Sequence, residues 1–96
     1  MMEIKRNHMN HGYEYVIRQY DLDGVYEYNM FSIYLTVKRT EYILHITYSM
    51  PEDRIVTVEI FNQYELSEED KEKGYMYAEM LEKEFVIHMK YIINNI

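Results

Sequence analysis

The stretch from Ser67 to Ile96 constrains the fold more than any other part of the chain. It opens densely acidic, closes almost wholly apolar, and has no Gly, Pro, Asn or Asp between Ala78 and Ile93 to interrupt it. An unpunctuated run of that length reads as one helix. Leu66-Ser67-Glu68-Glu69-Asp70 supplies the start, with Ser67 as N-cap and carboxylates facing the positive helix terminus. Asp70 stands where a capping box prefers Glu or Gln, so the reciprocal half of that motif is weak. At helical spacing Gly74, Tyr77, Ala78, Leu81, Phe85, His88, Ile92 and Ile96 share one stripe, the pattern of a helix lying on a sheet. The opposite face carries Glu68, Glu69, Glu72, Tyr75, Glu79, Glu82 and Lys83, then Val86, Ile87 and Ile93 with Lys90. A helix apolar on both sides needs cover on both. The run from Phe85 to Ile93 is also rich in strand-favouring residues, so a strand after Lys83 is the competing reading. The absence of turn residues decides for the helix.

Such a helix needs a sheet beneath it, and residues 13–61 supply the alternation of one. Tyr13, Tyr15 and Ile17 alternate with Glu14, Val16 and Arg18 up to Tyr20. Asp21-Leu22-Asp23-Gly24 then turns the chain; it shares Asp-x-Asp-Gly with a calcium loop but lacks the other ligand positions and the closing Glu. In the strand from Val25 to Lys38, Phe31, Ile33, Leu35 and Val37 face one way and Ser32, Tyr34 and Thr36 the other. Glu41 to Tyr48 answers it. With Arg39-Thr40 at the tip, Val37 pairs with Tyr42, Leu35 with Leu44, Ile33 with Ile46, Phe31 with Tyr48, and Lys38 with Glu41. Met50-Pro51-Glu52-Asp53 makes the next turn, and Ile55 to Phe61 returns with Tyr48 opposite Val56, Ile46 opposite Val58 and Leu44 opposite Ile60. The expected fold is α+β, a four-stranded antiparallel β-meander covered on one face by a long C-terminal helix at 67–94. Met1 to Gly12, without a clear period, is a flexible arm or a ragged first strand of the same single domain.

Charge narrows the function classes. Seventeen acidic against ten basic residues give a net charge of −7, which argues against direct binding to a phosphate backbone. From Glu65 to Glu84 there are eight carboxylates and three lysines, so −5 of that charge sits on the first half of the helix. Twelve tyrosines against three phenylalanines and no tryptophan point the same way, because Tyr supplies broad contact area at low entropic cost in protein interfaces. Without cysteine there is no disulfide framework, thiolate metal site or thiol nucleophile, and the expected compartment is the cytoplasm. No signal-peptide core and no membrane-length apolar run is present.

Chemistry-bearing motifs are sparse. A phosphate-cradling Gly-rich loop, a nucleophile elbow and a HExxH site are all missing, with glycine only at Gly12, Gly24 and Gly74. His8 and His11 lack a third ligand, so no metal or other cofactor is expected. The inferred register does set Tyr34, His45 and Glu59 in one row on the face the helix leaves open. A carboxylate there can orient and charge the imidazole, but no nucleophile or oxyanion hole accompanies it. The row therefore reads as part of a partner-binding face, not a catalytic site, and His88 as a core-edge histidine.

In size, acidity and tyrosine content the chain resembles phage and mobile-element inhibitors of nucleic-acid-binding host proteins, the anti-restriction and anti-CRISPR proteins among them. The resemblance implies a non-enzymatic module whose Glu68, Glu69, Glu72, Glu79 and Glu82 occupy a basic groove meant for phosphates, with Tyr75 packing beside them. The alternative is a homo-oligomeric structural or regulatory module, a homodimer for instance, joined through Val86, Ile87 and Ile93.

Overall fold

A computed structural model describes residues 3–8, 13–21 and 27–95. It contains strands β1 (Glu3–His8), β2 (Tyr13–Asp21), β3 (Tyr28–Val37), β4 (Thr40–Ser49) and β5 (Arg54–Ile60). A 3₁₀ turn, Gln63–Glu65, leads into helices α1 (Glu68–Met80) and α2 (Glu82–Asn94). The strands lie in chain order and every neighbouring pair is antiparallel. The four expected strands thus form the meander, and β1 extends it by a fifth at one edge, which makes Glu3–His8 a strand, not an arm. The turn expected at Asp21–Gly24 falls mostly on residues outside those described.

The β3–β4 hairpin has a tighter turn than the sequence suggests. Val37 faces Thr40, so Lys38 and Arg39 alone form the loop, with Lys38 at φ 58°. Two-residue loops of this kind match the twist of the flanking strands and need a positive φ at their first position, which Lys38 adopts despite its Cβ. Each expected pair slips by two residues: Leu35 faces Tyr42, Ile33 faces Leu44, Phe31 faces Ile46, and Thr36, not Lys38, faces Glu41. An even slip leaves every side chain on its own face, so the core composition survives while the partners change.

Between β4 and β5 the pairs Leu44–Ile60 and Ile46–Val58 stand as expected. Beyond Thr47–Thr57 the register shifts, and Tyr48 opposes Ile55 instead of Val56. This bulge turns Ile55 into the core at 7% exposure and leaves Val56 half-buried.

The covered face of the sheet presents Tyr15, Ile17, Phe31, Ile33, Leu35, Tyr42, Leu44 and Ile46, all buried. Against them α2 sets Phe85, His88, Met89 and Ile92, with the Tyr15 and Phe85 rings edge to face at 5.0 Å. The α1 contribution is smaller in volume, with Gly74 and Ala78 as its buried residues. A Cβ on Gly74 would come within 2.8 Å of the Tyr42 ring and 2.9 Å of Ile60, so the bare backbone is what lets α1 approach the sheet. Leu81, at φ −95° and ψ 2°, separates the two helices, yet the ladder runs on across it: Leu81 donates to the Tyr77 carbonyl and Phe85 to that of Leu81, both at 2.9 Å. The helical reading thus holds through the disputed segment after Lys83, but the one long helix expected over 67–94 is two, divided at Leu81 where the backbone leaves helical geometry.

Two side-chain clusters tie down the segments on either side of β5. Asn62 is buried, accepts the Ile43 N–H at 2.9 Å and donates to the Glu41 carbonyl at 2.9 Å, continuing the β4 ladder where β5 ends. Asp53, at φ 53° in the turn before β5, accepts the Tyr48 hydroxyl at 2.6 Å and the Lys90 ammonium at 3.3 Å. That pair of bonds joins the turn to α2.

Candidate interaction surface

The outer face of α1 is built by its cap and its charge pattern. Ser67 Oγ accepts the Asp70 N–H at 3.1 Å, which fixes the helix start, and Glu68, Glu69 and Asp70 occupy the first turn. Two lysines partly offset this acid: Lys71 reaches Glu68 at 2.7 Å and Lys73 reaches Glu69 at 3.3 Å. The hydrogen bond and charge of Glu69 hold the Lys73 ammonium above its ordinary pKa. Farther along, Glu72, Tyr75 and Glu79 stand exposed at i, i+3 and i+7, one stripe of the helix. Met76 and Met80 are exposed as well.

Glu82 differs from the carboxylates before it. It is half-buried, and its Oε1 accepts the Ile55 N–H at 3.2 Å, so it caps the start of β5. The same carboxylate lines a groove of about 380 Å³ that runs between β5 and α1, bounded by Val56 and Val58 on one side and Tyr75 and Glu79 on the other. Arg54 closes one end.

The open face of the sheet carries the other predicted residues. His45 lies opposite Glu59, as expected, but its partner on β3 is Ser32. Tyr34 sits one row on, between Val16 and Ile43, so the three-residue row is undone by the same two-residue slip that tightened the hairpin. The observed row is Arg18, Ser32, His45 and Glu59. The Arg18 guanidinium lies 4.6 Å above the Tyr34 ring, and the imidazole of His45 stacks on Phe61 at 4.6 Å and 25°. Phe61 is 60% exposed and is absent from the sequence-derived candidates. Its signal was its parity, two residues beyond Glu59 and just past the end of β5.

The proposed contact trio is split between environments. Val86 and Ile93 are half-buried and pack on the core, whereas Ile87 is 65% exposed. Tyr91, one helical turn after Ile87, is exposed with it, and the i, i+4 spacing of both pairs, Met76–Met80 and Ile87–Tyr91, is the sequence signal for an outer apolar stripe.

Among the described residues no three metal-ligating side chains come together. His11 is outside the described residues, and of His8 only the backbone is described. No described helix is long and apolar enough to cross a membrane. No protein-family model, curated protein or solved structure matches the chain. The functional reading rests on this chain's own geometry.

Proposed function

We propose that this protein is a small acidic interaction module that binds a basic protein surface, most simply the groove of a nucleic-acid-binding protein, and so inhibits it. The observation that carries this reading is the exposed stripe of Glu72, Tyr75 and Glu79 on α1, next to the acidic first turn of Glu68 and Glu69. Five carboxylates and two lysines leave α1 with a charge of −3. The stripe combines the two things a phosphate-binding groove recognises in its ligand, negative charge at helical spacing and a flat ring to pack beside it. Burial of Gly74 and Ala78 on the other side holds the helix in place without using any of these residues.

The test is competition. Nucleic-acid-binding proteins with basic grooves are loaded with labelled duplex, and the protein is titrated in at rising salt. The expected result is displacement that weakens steeply with salt and is lost in the Glu72→Lys/Glu79→Lys variant. Displacement indifferent to both would sink the proposal.

A homo-oligomeric module is the second reading, and the exposure of Ile87 and Tyr91 on α2 favours it. Light scattering at high concentration separates the two, since a strict monomer leaves the second without support.

A further inference from the structure

The groove beside β5 suggests how a basic partner is held, an inference that rests on the acidic-surface reading above. β5 is the last strand of the sheet, and its outer edge runs along the groove. Phe61 donates its N–H to the Ile43 carbonyl at 2.7 Å, and antiparallel pairing alternates, so Glu59 and Thr57 turn toward β4 and Val58 presents its N–H and C=O outward. At the start of the strand the outward N–H of Ile55 is already satisfied by Glu82, a carboxylate oxygen standing where the carbonyl of a neighbouring strand would stand. We propose that an extended, lysine- or arginine-bearing segment of a partner protein adds to β5 as a sixth strand, its side chains alternating between the groove and the open sheet face.

Charge selects that occupant. Groove-facing residues of the added strand meet Glu79 and Glu82 with the Tyr75 ring and the half-buried Val56 and Val58 beside them. Residues on the other side meet exposed Glu59. A basic side chain is therefore matched on both faces of the strand, and its aliphatic stem packs on Val58 or Tyr75. Arg54, at one end, matches an acidic residue there.

A short synthetic peptide alternating lysine and valine is the probe, followed by amide chemical shifts and affinity at low salt. The matched control has the same side chains but alternate backbone nitrogens methylated. The expected result is shifts centred on Val56, Thr57, Val58 and Tyr75, with the methylated peptide weaker by about tenfold, the effect of losing one or two backbone hydrogen bonds. Val58→Pro weakens the unmodified peptide similarly, because proline is tolerated where an edge N–H points outward. The methylated peptide makes the same test without altering the protein. Equal binding of both peptides overturns strand addition while leaving the acidic surface standing. Binding of neither overturns both. Self-association through β5 that excludes the peptide, seen by light scattering, also overturns it.

Discussion

Helices α1 and α2 are equal in length and adjacent in sequence, yet they are held to the sheet by opposite means. α2 is anchored by bulk: Phe85, His88, Met89 and Ile92 fill the space over β2 to β5. α1 is anchored by closeness, with Gly74 against Tyr42 and Ala78 behind it. Anchoring by small residues leaves most of the α1 circumference to solvent, and that circumference carries the acid and Tyr75. The charge on α1 is therefore not required by the fold, whereas the apolar residues of α2 are. On the proposed reading, binding and stability fall on different halves of one helical stretch.

The largest effect should follow from emptying the α2 anchor. Phe85→Ala removes a ring that is wholly buried against Tyr15, and should cost about 3–5 kcal/mol in urea unfolding, a large part of the stability of a domain this size. A loss under about 1 kcal/mol would mean that α2 is not the main anchor. Next comes the approach of α1. Gly74→Ala gains helix propensity of about 1 kcal/mol but drives a methyl against the fixed Tyr42 ring, so a net loss of about 1–2 kcal/mol is expected. A stabilised variant would contradict the close approach.

A smaller effect lies at the tie between α2 and the turn. The hydrogen bond from Tyr48, helped by Lys90, holds the Asp53 carboxyl below its ordinary pKa. A depressed folded-state pKa contributes stability that is present above the unfolded value and is lost as pH falls through the folded one, so the tie should weaken under acid. Tyr48 shows the opposite sign: burial, then the bond to Asp53, pushes its hydroxyl from 10.0 to about 12. Its contribution is fully present below 10 and is lost as pH rises toward 12. Tyr48→Phe should bring the Asp53 pKa back toward normal in a carboxyl NMR titration and remove part of the alkaline loss. An unmoved Asp53 would place the bond elsewhere. The smallest stability effect is expected on the acidic stripe, where Glu72→Lys and Glu79→Lys should each stay within about 0.5 kcal/mol.

Much of this architecture is legible in the sequence, because period-two and helical alternation depend only on which face must be buried. The stripe from Gly74 through Ala78, Leu81, Phe85, His88 and Ile92 is buried as read, with Met89 added. Parity cannot distinguish a four-residue apolar match from its neighbour two residues away, so the Lys38–Arg39 turn and the separation of Tyr34 from His45 were hidden. The bulge was hidden for a related reason, since Ile55 and Val56 are both apolar and either could point inward. Exposed Phe61, Met76, Met80 and Tyr91 escaped because apolar side chains are read as core by default. Leu81 carries no breaker residue, and nothing in its local sequence marks the irregular backbone there.

The split between anchoring and binding is tested most directly by measuring two quantities on one protein, the Glu72→Lys/Glu79→Lys variant: its unfolding free energy and its affinity for the lysine–valine peptide at low salt. Stability within about 1 kcal/mol of the parent and affinity lower by more than about tenfold are expected. Unchanged affinity, or a stability loss as large as that of Phe85→Ala, would contradict it.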